Sequence, residues 1–323
     1  MLMMRLGILG AGKIVTEALP VISAVPDIQL AAIFATPRSK EKLLEMQNKY
    51  NIEKIYTDLD ELLSDDGIDT VYVALPNSLH FDFAKKSLLA GKNVISEKPF
   101  VETVDQLIEL RAIAKEKSLL LVEAITNQYL PNYQVVKDNL AKLGDIKLVI
   151  ANYSQYSSRY DAFKAGKISP AFDPTKGGGA LMDLNIYNLH LIIGLFGKPA
   201  NIQYRPNIDE NIDTSGIVSL SYPKLQALAI AAKDADGDSS LIIEGTNGRL
   251  KVNGAPNTLG SVELTLRNKG SIRLAPDDNH HRMHAEFVQF AELVAKPDPE
   301  FVKKRLDHSQ QVLKVLEQAH KNL

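Results

Sequence analysis

Two rhythms of apolar and polar positions divide this chain. In the first, short apolar runs alternate with helical patterns. Leu6, Ile8 and Leu9 form a run that ends at Gly10-Ala11-Gly12, and Val15, Ala18, Leu19 and Ile22 then recur at helical spacing. That pattern predicts strand, glycine turn, helix. Further strands are predicted at residues 29–34, 69–75, 93–96 and 119–122, and helices at 79–90 and 104–117. Gly91 closes the first of these helices, and Thr57 or Asp58 is placed to cap a short helix of its own. Alternation of this kind predicts a doubly wound parallel sheet.

From about Glu123 the rhythm changes. A helix is predicted at 133–143 and a strand at 146–156, followed by an irregular stretch rich in Tyr, Ser and Pro. Gly177-Gly178-Gly179 opens a long apolar helix that ends near Gly194. Strands then follow one another without helices, at 201–204, 216–222, 226–232, 240–245, 249–253, 262–266 and 271–274, which predicts an open, mainly antiparallel sheet. Helices at 283–295 and 307–321, separated by Pro297 and Pro299, close the chain. The fold class is therefore α/β, a Rossmann-type domain over residues 1–122 and an α+β domain over 123–323.

The glycine turn carries chemistry. Gly10 lets the backbone turn sharply, Gly12 leaves room for a phosphate to approach the main chain, and the new helix offers N–H groups and a positive dipole end. Val15 stands where a third glycine of G-x-G-x-x-G would fall, and a βα turn without a ligand is the alternative reading. No acid closes the second strand. Thr36, Arg38, Ser39 and Lys40 stand there instead, which favours a 2′-phosphate and hence NADP over NAD. Gly10, Arg38, Pro76-Asn77 and Glu97-Lys98-Pro99 all fall at carboxyl ends of strands, where such sheets bind ligands.

A second set lies in the apolar helix at 180–193. Asp183, Tyr187 and His190 stand at i, i+4 and i+7 and share one face of a regular helix. They read either as a proton-transfer stripe facing a substrate or as an internal hydrogen-bond cluster or solvent-facing stripe. Lys98 offers a similar choice: it reads either as an exposed strand-end lysine or, held between Glu97 and Pro99, as one aimed by a restricted backbone, whose ammonium would favour a neighbouring tyrosinate. His280, His281 and His284 lack matching ligands elsewhere and read as solvated surface; no metal site is assigned. Tyr153, Tyr156 and Tyr160 read as packing or sheet surface.

Composition narrows the classes. The 323 residues carry a net charge of -2 and 45% hydrophobic residues, so nothing attracts nucleic acid or an anionic membrane over long range. The absence of cysteine excludes disulfides, thiolate metal sites and a cysteine nucleophile. No apolar run approaches the ~20 residues of a bilayer span, and the first strand leaves no room for a signal peptide, so the expected location is cytoplasmic.

Taken in order, Gly10-Ala11-Gly12-Lys13-Ile14, Pro76-Asn77-Ser78-Leu79-His80, Glu97-Lys98-Pro99 with Thr103, Glu123-Ala124, and Gly177-Gly178-Gly179-Ala180-Leu181 with Asp183 resemble the glucose–fructose oxidoreductase / inositol dehydrogenase / rhizopine catabolism (Gfo/Idh/MocA) family over the whole chain. Glu123-Ala124-Ile125 and Tyr187 are similar to its dimeric dihydrodiol dehydrogenase-like subset. The resemblance implies an NAD(P)-dependent oxidoreductase acting on an alcohol or carbonyl carbon of a sugar, polyol or related diol. It implies that Lys98, Asp183 and Tyr187 are catalytic, with Tyr187 the proton donor or acceptor, and that Lys98 and His190 contact substrate. Cofactor contacts fall to Gly10, Gly12, Lys13, Ile14, Thr36, Arg38, Leu75, Pro76, Asn77, His80, Glu97 and Lys98. A cis Lys98–Pro99 bond and a homo-oligomer, dimer or tetramer, built on the C-terminal sheet are also implied. Several residues depart from the family pattern: Asn185 replaces the glycine of D-x-G, His190 stands where many sugar dehydrogenases carry Asp, Asn or Gln, and Thr126 and Gln128 replace a Trp and an Arg of the dihydrodiol subset. A non-enzymatic dinucleotide or sugar sensor and an NAD-dependent glycosidase are the rival functions.

Overall fold

The computed structural model describes residues 3–321. They form two compact units: unit 1 runs to Ala124 and resumes over Met283–Ser309, and unit 2 comprises Ile125–Arg282 and the residues from Gln310 on.

Unit 1 begins β1 (Met4–Leu9), α1 (Lys13–Ile22), β2 (Ile28–Phe34), α2 (Lys40–Tyr50), β3 (Lys54–Tyr56), α3 (Leu59–Leu63), β4 (Thr70–Val73), α4 (His80–Leu89), β5 (Asn93–Glu97), α5 (Val104–Glu116) and β6 (Leu121–Ala124). The six strands are parallel in the order β3-β2-β1-β4-β5-β6. The order reverses between β1 and β4, which opens a ligand crevice at their carboxyl ends. All of β4 is buried, as expected of a strand covered on both faces. Asp58 caps α3 by accepting the Asp60 and Glu61 N–H groups, and Thr103 with Gln106 forms a capping box on α5.

Unit 2 contains α6 (Pro131–Asn139), β7 (Ile146–Ser154), α7 (Tyr160–Lys164), a π-helical turn Leu181–Asn185 and α8 (Ile186–Phe196). The strands β8 (Asn201–Asp209), β9 (Ile212–Ser221), β10 (Gln226–Ala232), β11 (Ser240–Gly245), β12 (Gly248–Asn253), β13 (Val262–Leu266) and β14 (Gly270–Ala275) complete a sheet with β7, in the order β14-β13-β12-β11-β7-β10-β9-β8. Every pairing is antiparallel except β7 with β10. Period-two alternation turns Val149, Ala151 and Tyr153 of β7 and Ala227 and Ala229 of β10 inward, into a core shared with Leu189, Ile192 and Ile193 of α8. The small alanines let α8 sit close to β10. Asn185 and Asn188 accordingly donate to the Ala229 and Ile230 carbonyls at 3.0 and 2.8 Å.

The last two helices are α9 (His284–Ala295) and α10 (Pro299–His320). Local pattern alone assigned both to the second domain. In the structure α9 packs on α1 and β1 of unit 1, and Phe287 stands edge-on to Tyr72 at 5.2 Å. Pro299 opens α10 rather than separating helices, because the first helical position loses no intrahelical hydrogen bond to proline. Pro206 likewise sits within β8, an edge strand whose missing N–H breaks no ladder. Residues 174–196 are long and apolar enough to cross a bilayer, which corrects the sequence expectation; 67% of the apolar 18-residue stretch within them is buried inside the protein, so composition here reflects a core helix.

Candidate active-site residues

The nucleotide cradle of unit 1 starts at the end of β1. Gly10 has φ +125°, and a Cβ there would lie 2.4 Å from the Ala74 carbonyl oxygen, so β1 and the end of β4 approach at a point only glycine fits. Gly12 caps α1 from an exposed position, and a Cβ there would meet nothing within 4 Å. No side chain caps α1, and its first turn holds no acid. The helices that follow β2 and β4 also lack side-chain caps, whereas α3 and α5, after β3 and β5, are capped by their own residues. Uncapped N–H groups with open space beside Gly12 and no acid in the first turn fit a diphosphate. Lys13 is exposed and Ile14 half-buried at this helix start, and Val15 packs fully into the core.

After β2, Thr36, Arg38 and Lys40 are exposed around a short turn, with no acid at the strand end. Such a cationic rim suits a 2′-phosphate. After β4, Leu75 and Asn77 are half-buried and Pro76 exposed. His80 does something the sequence did not reveal. It is fully buried, with Nε2 2.8 Å from the Leu75 carbonyl and Nδ1 2.8 Å from the Pro99 carbonyl. Burial pushes its imidazole below the ordinary pKa, against the pull of the two carbonyls. His80 thus sits between the β4 turn and the β5 turn, and the neutral ring donates its one N–H to one of the two carbonyls at a time. Glu97 is also buried: it accepts the Tyr72 hydroxyl and, at 3.2 Å, the Lys98 N–H. Glu123 accepts the Phe100 N–H at 3.1 Å. Three acceptors or clamps therefore fix the backbone on both sides of Lys98, whose bond to Pro99 is cis and whose side chain is half-buried.

In unit 2 the expected regular helix at 180–193 begins instead as a π-helical turn. Its origin is tertiary. Asp213 of β9 accepts the Leu181 N–H and the Tyr204 hydroxyl, each at 2.6 Å, and caps the turn from outside. Burial pushes the Asp213 carboxyl up and the Tyr204 phenol well up. Gly179, at φ +103°, lies so close that a Cβ would stand 2.0 Å from the Asp213 carboxylate. Wide turns of this type recur at functional sites. Burial deepens along the run: the Asp183 side chain is 35% exposed, Tyr187 6% and His190 1%. The solvent-facing alternative is excluded for Tyr187 and His190, while Asp183 stays partly exposed.

Neighbouring residues complete the setting. Asn127 donates to the Tyr187 carbonyl at 2.9 Å, and Gln128 donates to the His190 carbonyl at 3.0 Å. These two residues anchor the helix backbone, while Thr126 donates to the Asn257 carbonyl at 2.9 Å. Tyr153 meets the Tyr187 ring at 5.9 Å between centroids; β7 alternation was the signal that it faces inward. Lys233, unremarked in the sequence, pairs with Asp183 at 3.0 Å. His280 and His281 are exposed, His280 lying 3.0 Å from Asp278, and His284 is half-buried.

Comparison with known proteins identifies the family and the fold. The family profile described as "Oxidoreductase family, NAD-binding Rossmann fold" matches residues 4–124, and the one described as "GFO/IDH/MocA C-terminal domain" matches residues 133–251. The scyllo-inositol 2-dehydrogenase (NADP(+)) IolU of Bacillus subtilis is 31% identical over 99% of this chain and 97% of its own. The trans-1,2-dihydrobenzene-1,2-diol dehydrogenase of Xenopus tropicalis is 28% identical over 76% of this chain and 74% of its own. Among solved structures, KijD10, a 3-ketoreductase from Actinomadura kijaniata crystallised with NADP and TDP-benzene, shares the fold at TM-score 0.86 and 22% identity, over 99% of this chain and 98% of its own.

Proposed function

The chain belongs to the Gfo/Idh/MocA family of NAD(P)-binding oxidoreductases, and from that premise we propose that it is an NADP-dependent dehydrogenase or reductase of polyols, with inositols and related cyclic diols as its substrate class. The observation that carries this reading is similarity along 99% of the chain to a dehydrogenase named for an inositol and for NADP(+). Unit 1 is the cofactor-binding part and unit 2 the substrate-binding and oligomerisation part. The α1 N-terminus with Gly10 and Gly12 would hold the diphosphate, Thr36 and Arg38 the 2′-phosphate, and Leu75, Pro76 and Asn77 the nicotinamide ribose side. The bound nicotinamide supplies a hydride acceptor or donor.

The chain's own residues would handle the proton. In oxidation Tyr187 accepts the hydroxyl proton while the substrate C–H bond yields its hydride and a carbonyl forms; in reduction Tyr187 returns the proton to the carbonyl oxygen. Lys98 orients the reacting oxygen and favours the tyrosinate. Asp183 orients Tyr187, and His190, buried one turn further along α8, shapes the substrate site. The test is a parallel titration with NADPH and NADH by nicotinamide fluorescence, followed by turnover assays with scyllo-inositol, myo-inositol and cyclic trans-diols. Tenfold tighter NADPH binding with inositol turnover supports the reading. Sugar release without net cofactor absorbance change would replace it with glycoside cleavage, and cofactor binding without any turnover with a sensor role.

A homo-oligomer belongs to the same proposal. The face of the unit 2 sheet away from α8 carries Ile217 beside Ile230, and Leu228, Ile150 and Ile242 in one register row, with Leu148 next to them. Leu148, Ile217 and Leu228 are 46%, 40% and 36% exposed. A second copy of the chain, laying the same face against this one, would bury them. Light scattering should give at least a dimer, and Leu228→Glu a monomer; a monomeric wild type removes the proposal. A cytoplasmic location, where the NADP pool is kept, completes the reading and is tested by cell fractionation.

A further inference from the structure

Lys233 follows β10 directly. Its backbone is bound on both sides: its N–H donates to the Thr214 carbonyl and its carbonyl accepts the Ser157 N–H, each at 2.8 Å. The side chain is 2% exposed. Lysine at such a strand end normally reaches for water, because a buried ammonium is strongly unfavourable unless it is paired. Here the ammonium lies 3.0 Å from Asp183, donates to the Ala171 carbonyl and stands 4.2 Å over the Phe172 ring. The Ala171 carbonyl also accepts the Gly179 N–H at 3.1 Å, so the same oxygen joins Lys233 to the glycine run that starts the active-site helix. The second buried carboxylate nearby, Asp213, is turned to the Leu181 N–H and the Tyr204 hydroxyl. Asp183 keeps its half-exposed side outward while its Oδ2 is drawn inward to the ammonium.

We propose that Lys233 is a positioning residue for the reaction: it holds the Asp183 carboxylate charged and in one orientation, and so sets the efficiency of Tyr187 without touching substrate. This rests on the role given to Asp183 above. A purely architectural lysine needs only the Ala171 carbonyl and the Phe172 ring. Pairing with the one partly exposed carboxylate of the helix is what an architectural role does not require.

The test is a double-mutant cycle on the full-length protein with NADP+ and the inositol it oxidises best. Lys233→Met, checked for folding by thermal melting, should lower kcat about tenfold or more with KM within about twofold, and Lys233→Arg should restore part of the loss. If Lys233 acts through Asp183, the Asp183→Asn/Lys233→Met double variant should be no slower than Asp183→Asn alone. Additive losses, or wild-type kcat in a folded Lys233→Met, overturn the inference. If Asp183→Asn itself keeps wild-type kcat, the role of Asp183 fails instead, which separates the two readings. Should Lys233→Met not fold, NMR of the lysine ammonium groups decides. The Lys233 signal of the otherwise wild-type protein should shift in Asp183→Asn, and an unmoved signal overturns the inference.

Discussion

Two glycines two residues apart should respond oppositely to alanine. At Gly10 the added methyl meets the Ala74 carbonyl oxygen at 2.4 Å, in a backbone conformation of φ +125° that L-residues avoid. The positive φ alone costs about 1–2 kcal/mol, and overpacking against a fixed strand end adds about 1–3 kcal/mol. Gly10→Ala should therefore destabilise unit 1 by roughly 2–5 kcal/mol and weaken NADPH binding only as a consequence. At Gly12 the methyl meets nothing within 4 Å and φ is -76°, which any residue adopts. Gly12→Ala should leave stability within about 1 kcal/mol of wild type. Yet it fills the space through which a diphosphate reaches the α1 N–H groups, so NADPH affinity should fall at least tenfold, about 1.4 kcal/mol. Urea unfolding followed by fluorescence gives the first quantity, and nicotinamide fluorescence titration the second. Wild-type affinity in Gly12→Ala would refute the cradle, and unchanged stability in Gly10→Ala would refute the close approach of β1 to β4.

Tyr187→Phe should lose at least ~100-fold in turnover yet bind NADPH as wild type; stopped-flow and steady-state rates near wild type would remove Tyr187 from proton transfer. Arg38→Ala should weaken NADPH at least ~tenfold and leave NADH unchanged, because only the 2′-phosphate loses a charge-assisted contact; equal losses for both by titration would count against it. Asp65 is held down to about 2 by Lys54, the Gly67 N–H and Tyr56, so its folded pKa lies below its unfolded value near 3.8. Its stabilisation is present above pH ~4 and lost as pH falls through ~2, about 1 kcal/mol once solvent screening of the half-exposed Lys54 is allowed for; Asp65→Asn should lack that acid limb in urea melts between those pH values.

Legibility in the sequence tracked how local each cause was. The alternation of β1 through β6 was readable because parallel strands buried on both faces are apolar runs, and the bounds of β10, β11 and β13 because each is a short apolar-rich run. Pro299 reads as a separator of helices in the sequence, although a first helical turn tolerates proline. The π-helical turn was out of reach because Asp213, thirty-odd residues away, imposes it. His80 stood in a family motif, but only the fold shows its two carbonyl partners. Lys233, in the polar-looking stretch Ala232-Lys233-Asp234-Ala235, gave no sign of burial, since the aromatic and carboxylate that receive it come from distant segments.

The return of α9 to unit 1 has a consequence for biosynthesis. The edge that packs Phe287 against Tyr72 is supplied only after residues 125–282 have been made. At about 5–20 residues per second, the N-terminal sheet emerges from the ribosome on the order of ten to thirty seconds before its own covering helix. Nascent β1, α1 and Tyr72 must pass that interval with an apolar flank uncovered. A chain stopped at Ala124 would remain in that state, so a free-standing N-terminal fragment should need chaperones or aggregate where the complete chain does not.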